Sequence, residues 1–199
     1  MITIGVTGGI GSGKSAFVAR LAGYDGVRTI LADDLAKRLM AEDADVRRQL
    51  VERFGPQTFG ADGALDRAYV ASRVFSDDAE LAALNAIVHP AVRRALRAAK
   101  AQAEADGVAV LVYEAALLLE TGGAEVVDRV VVVDAPVEVR VARAAARDGV
   151  SEAAVRARMR HQIDPAEARA AAGLVVENAG NLDALYAAAD ALARDLGVA

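Results

Sequence analysis

Gly8-Gly9-Ile10-Gly11-Ser12-Gly13-Lys14-Ser15 separates a short apolar, β-branched run, Ile2 to Thr7, from a stretch of helical character, Ser15 to Leu21. The spacing is that of a phosphate-binding loop, G-x-x-x-x-G-K-[ST]. Glycines let backbone wrap closely around phosphate oxygens, in dihedrals that a side chain penalises. Successive N–H groups then point inward, and the following helix N-terminus adds positive potential. In such a loop Lys14 reaches the β- and γ-phosphates, and the Ser15 hydroxyl ligates magnesium. Lysine occurs only at Lys14, Lys37 and Lys100, so its presence in the required slot carries weight. Arginine is abundant, and a single arginine is weak evidence of a phosphate clamp. The loop alone does not choose among kinase, hydrolase and switch GTPase.

Further apolar runs follow at Val27 to Leu31, Val108 to Tyr113, Val130 to Val133 and Leu174 to Glu177. Continuous apolar strands separated by helical stretches predict a parallel sheet covered on both faces. The expected fold is therefore an α/β, doubly wound parallel sheet of the P-loop NTPase kind, with ligands beyond the carboxyl ends of the strands. Helices are expected at Asp34 to Met40, Val46 to Phe54 and Ala91 to Ala105. Two intervals exceed a simple crossover. The core is expected at about 1–42, 108–145 and 173–199, a helical substrate-binding lobe at about 43–107 and a helical, arginine-rich lid at about 146–172.

The 199 residues suffice for one such domain without staples, and none is available because cysteine is absent. That absence agrees with a reducing cytosol, and no apolar run has the length of a membrane span. Met1 opens directly on a strand, without the basic flank and apolar core of a signal segment. A soluble, cytoplasmic chain without a membrane partner is expected. The net charge of −5 gives no overall basic field for nucleic acid.

Outside the loop, Leu31-Ala32-Asp33-Asp34 ends the second apolar run. A carboxylate there can take a proton from an acceptor hydroxyl, or Asp33 can simply cap the next helix, as can Asp34. Val88-His89-Pro90-Ala91-Val92-Arg93-Arg94 is the next unusual segment. Proline is an ordinary helix start, which would make His89 a flank and the arginines surface charge. With so few histidines and no cysteine, a metal site built on them is not expected.

Taken with Thr7 and the glycine loop, these segments resemble the dephospho-CoA kinase family. The resemblance continues through Leu117-Leu118-Leu119-Glu120-Thr121-Gly122, Val130 to Val133, Arg143, Arg147-Asp148, Gln162 and Asn178-Ala179-Gly180. It implies transfer of the γ-phosphoryl group of ATP to the 3′-hydroxyl of the ribose of dephospho-CoA, with Mg2+. It also implies an ATP site at Gly8, Gly9, Gly11, Ser12, Gly13, Lys14, Ser15, Ala16, Arg143, Arg147 and Asn178, with Ser15 toward the metal. Catalytic roles fall to Asp33, Lys14 and Arg143, and acceptor contacts to Asp33, His89 and Arg93. The chain departs from the family pattern at Leu31, at Glu114 and Ala116 after the third strand, at Arg140 where glutamine is usual, and at Gly173. Another small-metabolite kinase is the alternative, and a guanine-reading N-K-x-D sequence is absent.

Overall fold

A computed structural model describes residues 1–74, 77–160 and 162–199. β1 (Ile2–Thr7) lies in the middle of a five-stranded parallel sheet with β2 (Val27–Leu31), β3 (Val110–Glu114), β4 (Arg129–Asp134) and β5 (Leu174–Glu177). The strand order is β2-β3-β1-β4-β5, and every pairing is parallel. The chain leaves β1 toward β2 on one side and later returns to β4 on the other. β1 is therefore the topological switch point, and its carboxyl end opens a crevice.

β3 is buried throughout, and β1 and β4 are buried over Thr3 to Thr7 and Val131 to Val133, which is why they read as unbroken apolar runs rather than alternating ones. One face carries Ile4, Val6, Val110, Val112, Val131 and Val133. It packs against Phe17, Val18 and Leu21 of α1 (Lys14–Leu21) and Leu185, Ala189 and Leu192 of α9 (Leu182–Asp195). Fully burying each of the larger side chains among these is worth about 1.5–3 kcal/mol. Arg20 and Tyr24 hold Asp190 at 2.6 and 2.7 Å, locking α1 to α9 at their polar edge. The other face carries Leu111 and Val132, also buried, and is approached at Gly5 by Leu118 and Val127. The doubly wound α/β expectation is met, with β3 running from Val110 to Glu114 rather than from Val108 to Tyr113.

Two compact units divide the chain: Met1–Leu31 with Ala99–Ala199, and Ala32–Ala98. The first holds the sheet, α1, α6 (Val137–Asp148), α7 (Glu152–Met159), α8 (Pro165–Ala170) and α9. The second holds α2 (Ala32–Glu42), α3 (Ala44–Phe54), α4 (Arg67–Val74) and most of α5 (Asp78–Ala105). It has its own core of Val46, Leu50, Phe54, Val70, Val74 and Ala91. Asp43 caps α3 by accepting the Val46 N–H, and Gly55 closes the helix at φ 93°.

α5 corrects the reading of Pro90 as a helix start. The helix begins at Asp78 and runs through Pro90 to Ala105. The missing N–H forfeits one backbone bond and disfavours the helix locally. Burial of Val88, Ala91, Val92 and Leu96 on either side of it offsets that cost. His89 is thus an interior helical residue and not a flank.

Candidate active site

Register places the site's parts. Val6 is level with Glu114, and Glu114 with Leu31, so β1, β2 and β3 end together. Immediately beyond β1 the glycine loop turns into α1. The backbone N–H groups of Gly11, Gly13, Lys14 and Ser15 meet no protein acceptor among the described residues, which leaves them to an anion. Glu114, with only 9% of its surface exposed, receives the Ser15 hydroxyl at 2.8 Å, and the Lys14 ammonium lies 4.0 Å from the same oxygen. A buried carboxylate between a lysine and a hydroxyl is stabilised by both.

The loop is braced from behind. Asn178, buried after β5, donates to the Ser12 carbonyl at 2.7 Å, and its own carbonyl accepts from Arg143 at 3.0 Å. Arg143 also donates to the Gly180 carbonyl at 3.0 Å. Arg143 and Arg147 of α6 face Gly11, Gly13, Lys14, Ser15 and Ala16 across a pocket of about 220 Å³. Arg147 pairs with Asp148, whose carboxyl is held well below the usual range by Arg147 and Arg158.

Arg140 packs its guanidinium on Gly9 and its backbone carbonyl on Gly11. A Cβ at either glycine would collide, and Gly11 also sits at φ +78°. Arg140 is 6% exposed, and burial pulls its pKa below the ordinary value while the charge of Asp134 opposes this. The Arg140 Nε has no hydrogen-bond partner among the described residues.

Of the residues expected from sequence, Gly8 to Ala16, Arg143, Arg147 and Asn178 come together in the first unit. Asp33, His89 and Arg93 belong to the second. Asp33 is exposed in the first turn of α2, inside the helix rather than at its cap. It makes no side-chain hydrogen bond or ion pair among the described residues, whereas Asp34 holds Lys37 at 2.9 Å. The capping alternative for Asp33 therefore has no bond to support it. His89 is half-buried in α5, and its pKa is lowered by burial first and by Arg93 second.

Three functional candidates escaped the sequence reading. Glu114 registered only as a departure from the family pattern, although a carboxylate closing an apolar strand was a usable signal. Arg140 was likewise only a departure. The resemblance includes Gln162 but implies no role for it. Its side-chain oxygen accepts the Ile10 N–H at 2.9 Å, across 152 residues of sequence.

Among the described residues no cluster of three or more His, Asp or Glu forms a metal cage. Magnesium does not need one, since it keeps several waters and takes one or two protein oxygens plus substrate phosphates. The Ser15 hydroxyl supplies one such hard oxygen and the adjacent Glu114 carboxylate can accept from the ion's waters, so these residues fit.

A family model described as dephospho-CoA kinase matches residues 2–184. The dephospho-CoA kinase of Salinibacter ruber is 49% identical over 185 residues, covering 93% of this chain and 92% of that protein. The chain belongs to the dephospho-CoA kinase family. A second member, from Deinococcus radiodurans, is 43% identical over 195 residues, 98% of this chain and 92% of the relative. The crystal structure of TT1252 from Thermus thermophilus superposes with a TM-score of 0.80 at 39% identity, covering 98% and 97% of the two chains. Shikimate kinase from Acinetobacter baumannii, at 17% identity and a TM-score of 0.53 over 99% of this chain and 94% of its own, shares the fold alone. Among the described residues of this dephospho-CoA kinase family member, no helix is long and apolar enough to cross a membrane.

Proposed function

We propose that the chain transfers the γ-phosphoryl group of ATP to the 3′-hydroxyl of the ribose of dephospho-CoA, with Mg2+, in the cytoplasm. The observation that carries this reading is the family match across residues 2–184, joined to an anion nest with Lys14, Ser15 and Glu114 at its mouth. The unbonded N–H groups of the loop take the β-phosphate oxygens, and Lys14 spreads its charge over β and γ. Arg143 and Arg147 offset the charge of the transferring group. Arg147 reaches it on release from Asp148.

Ser15 would hold magnesium, with Glu114 ordering its shell, and the bound ion would supply positive charge against the phosphates. Asp33 orients the acceptor hydroxyl and receives its proton as the new P–O bond forms and the bond to the β-phosphate oxygen breaks. A loose transition state asks little of a base early, so orientation is the larger share of that role. His89 and Arg93 bind the acceptor. His89, kept neutral by burial, offers a ring N–H and a lone pair, and Arg93 offers charge to the acceptor's diphosphate.

The test is ADP release from ATP and magnesium with dephospho-CoA, adenosine, shikimate or gluconate as acceptor. Strong dependence on dephospho-CoA is expected. Turnover on another acceptor with none on dephospho-CoA would replace this reading with that of a different metabolite kinase.

A further inference from the structure

Ile10 is the residue of the phosphate loop held from outside in two ways. Its side chain packs against the buried cluster of Val141 and Ala144 of α6 and Val155 of α7. Its N–H donates to the Gln162 side-chain oxygen at 2.9 Å, just beyond α7. The next residue of that segment is itself fixed, because the Ile163 N–H donates to Glu120 at 2.9 Å. Glu120 stands on the loop after β3, the strand whose last residue is Glu114. A hydrogen-bonded strap thus runs from Glu120 through Ile163 and Gln162 to the apex of the phosphate loop. Neither side chain takes part in the proposed phosphoryl transfer.

The direction of the Ile10 N–H gives the strap its consequence. That group is turned toward Gln162, while the N–H groups of Gly11, Gly13, Lys14 and Ser15 are left to an anion. Peptide planes in a glycine-rich loop rotate at little steric cost. An acceptor fixed on the outer side selects one rotation at Ile10 and thereby the aim of the next peptide. We propose that Gln162 is a positioning residue for nucleotide binding, and that Glu120 acts through it by anchoring the strap. A preorganised loop spares the ordering cost that a loose one meets when the phosphates arrive. Neither residue need touch the nucleotide.

The inference rests on the nucleotide half of the proposed function and is tested on it alone. Calorimetric titration of the intact protein with ATP and magnesium, without acceptor, compares the parent with Gln162→Leu, Glu120→Leu and Glu120→Gln. Gln162→Leu, similar in size but no acceptor, is expected to weaken ATP by roughly fivefold to tenfold, the worth of one hydrogen bond. Glu120→Leu is expected to weaken it less. The double variant should fall short of the product of the two, because a strap released at one end has less to lose at the other. Glu120→Gln keeps an acceptor for the Ile163 N–H and should bind like the parent. Melting temperatures should stay close together, because the strap lies outside the sheet core.

Parent-like ATP affinity in Gln162→Leu overturns the proposal. So does an affinity loss matched by a collapse in melting temperature, which marks a structural role only. Glu120→Gln as weak as Glu120→Leu would trace the effect to charge and also overturn it. If a leucine variant fails to fold, Gln162→Asn, one methylene short of Ile10, and Glu120→Gln carry the same comparison. A protein that binds ATP but does not phosphorylate dephospho-CoA refutes the acceptor assignment and leaves these outcomes measurable.

Discussion

Lys14 sits in a chain poor in lysine, with 16% of its side chain exposed and the buried Glu114 carboxylate 4.0 Å away. Its work is electrostatic rather than packing, so Lys14→Ala should lower turnover by about a hundredfold or more while leaving circular dichroism unchanged. Near-parent turnover would remove the loop from the mechanism. Glu114→Gln retains an oxygen for the Ser15 hydroxyl but loses the charge. Outer-shell partners of metals are worth about 10–100-fold in metal affinity, so the magnesium concentration for half-maximal rate should rise by about tenfold or more. A magnesium titration showing no shift would free Glu114 of that role. Asp33→Asn should separate binding from chemistry: turnover is expected to fall at least about a hundredfold, with ATP affinity and melting temperature held. Asp33 makes no side-chain bond among the described residues, so structural damage is a poor explanation of a lost rate. Full activity would retire Asp33 as the acceptor's partner.

At the scale of elements, the strands were legible because a sheet covered on both faces leaves its composition no choice. Val130 to Val133 could scarcely be anything else. The same physics hid the true end of β3: Glu114 is charged, and only its bonds to Ser15 and Lys14 explain its burial. α5 was illegible for the opposite reason. Pro90 announces a helix start locally, and only burial on both sides of it carries the helix through. The Gln162–Ile10 bond spans 152 residues, a pairing that no local pattern encodes. α5 presents His89 and Arg93 one turn apart, so replacing either with alanine should weaken dephospho-CoA more than ATP in paired titrations. Equal losses, or none, would return both to a structural role. His89 also carries a pH signature. Burial lowers its folded pKa below the ordinary 6.5, so the unfolded chain binds the extra proton first. Its contribution is therefore complete above about pH 6.5 and is lost as pH falls below it. His89→Gln should flatten that limb of the stability curve; an unchanged limb would contradict the shift.

For the whole molecule, the helix that begins at the phosphate loop is tied to the last helix through Arg20, Tyr24 and Asp190. Hydrogen bonds and charge from Arg20, and the Tyr24 hydroxyl, pull the Asp190 carboxyl from 3.8 to about 2. A carboxylate with a depressed folded pKa stabilises the fold above its unfolded value and loses that contribution as pH falls through the folded one. Stability should thus decline between about pH 3.8 and about pH 2, and Asp190→Asn should show a shallower decline across that window. An identical acid limb in the variant would dismiss the tie. Following the γ-phosphoryl group tests the proposed transfer most directly. Phosphorus NMR of a reaction containing ATP, magnesium and dephospho-CoA should show a new phosphomonoester on the 3′-oxygen of the ribose, growing in step with ADP. ADP appearing without that resonance, or a phosphomonoester at any other position, would contradict it.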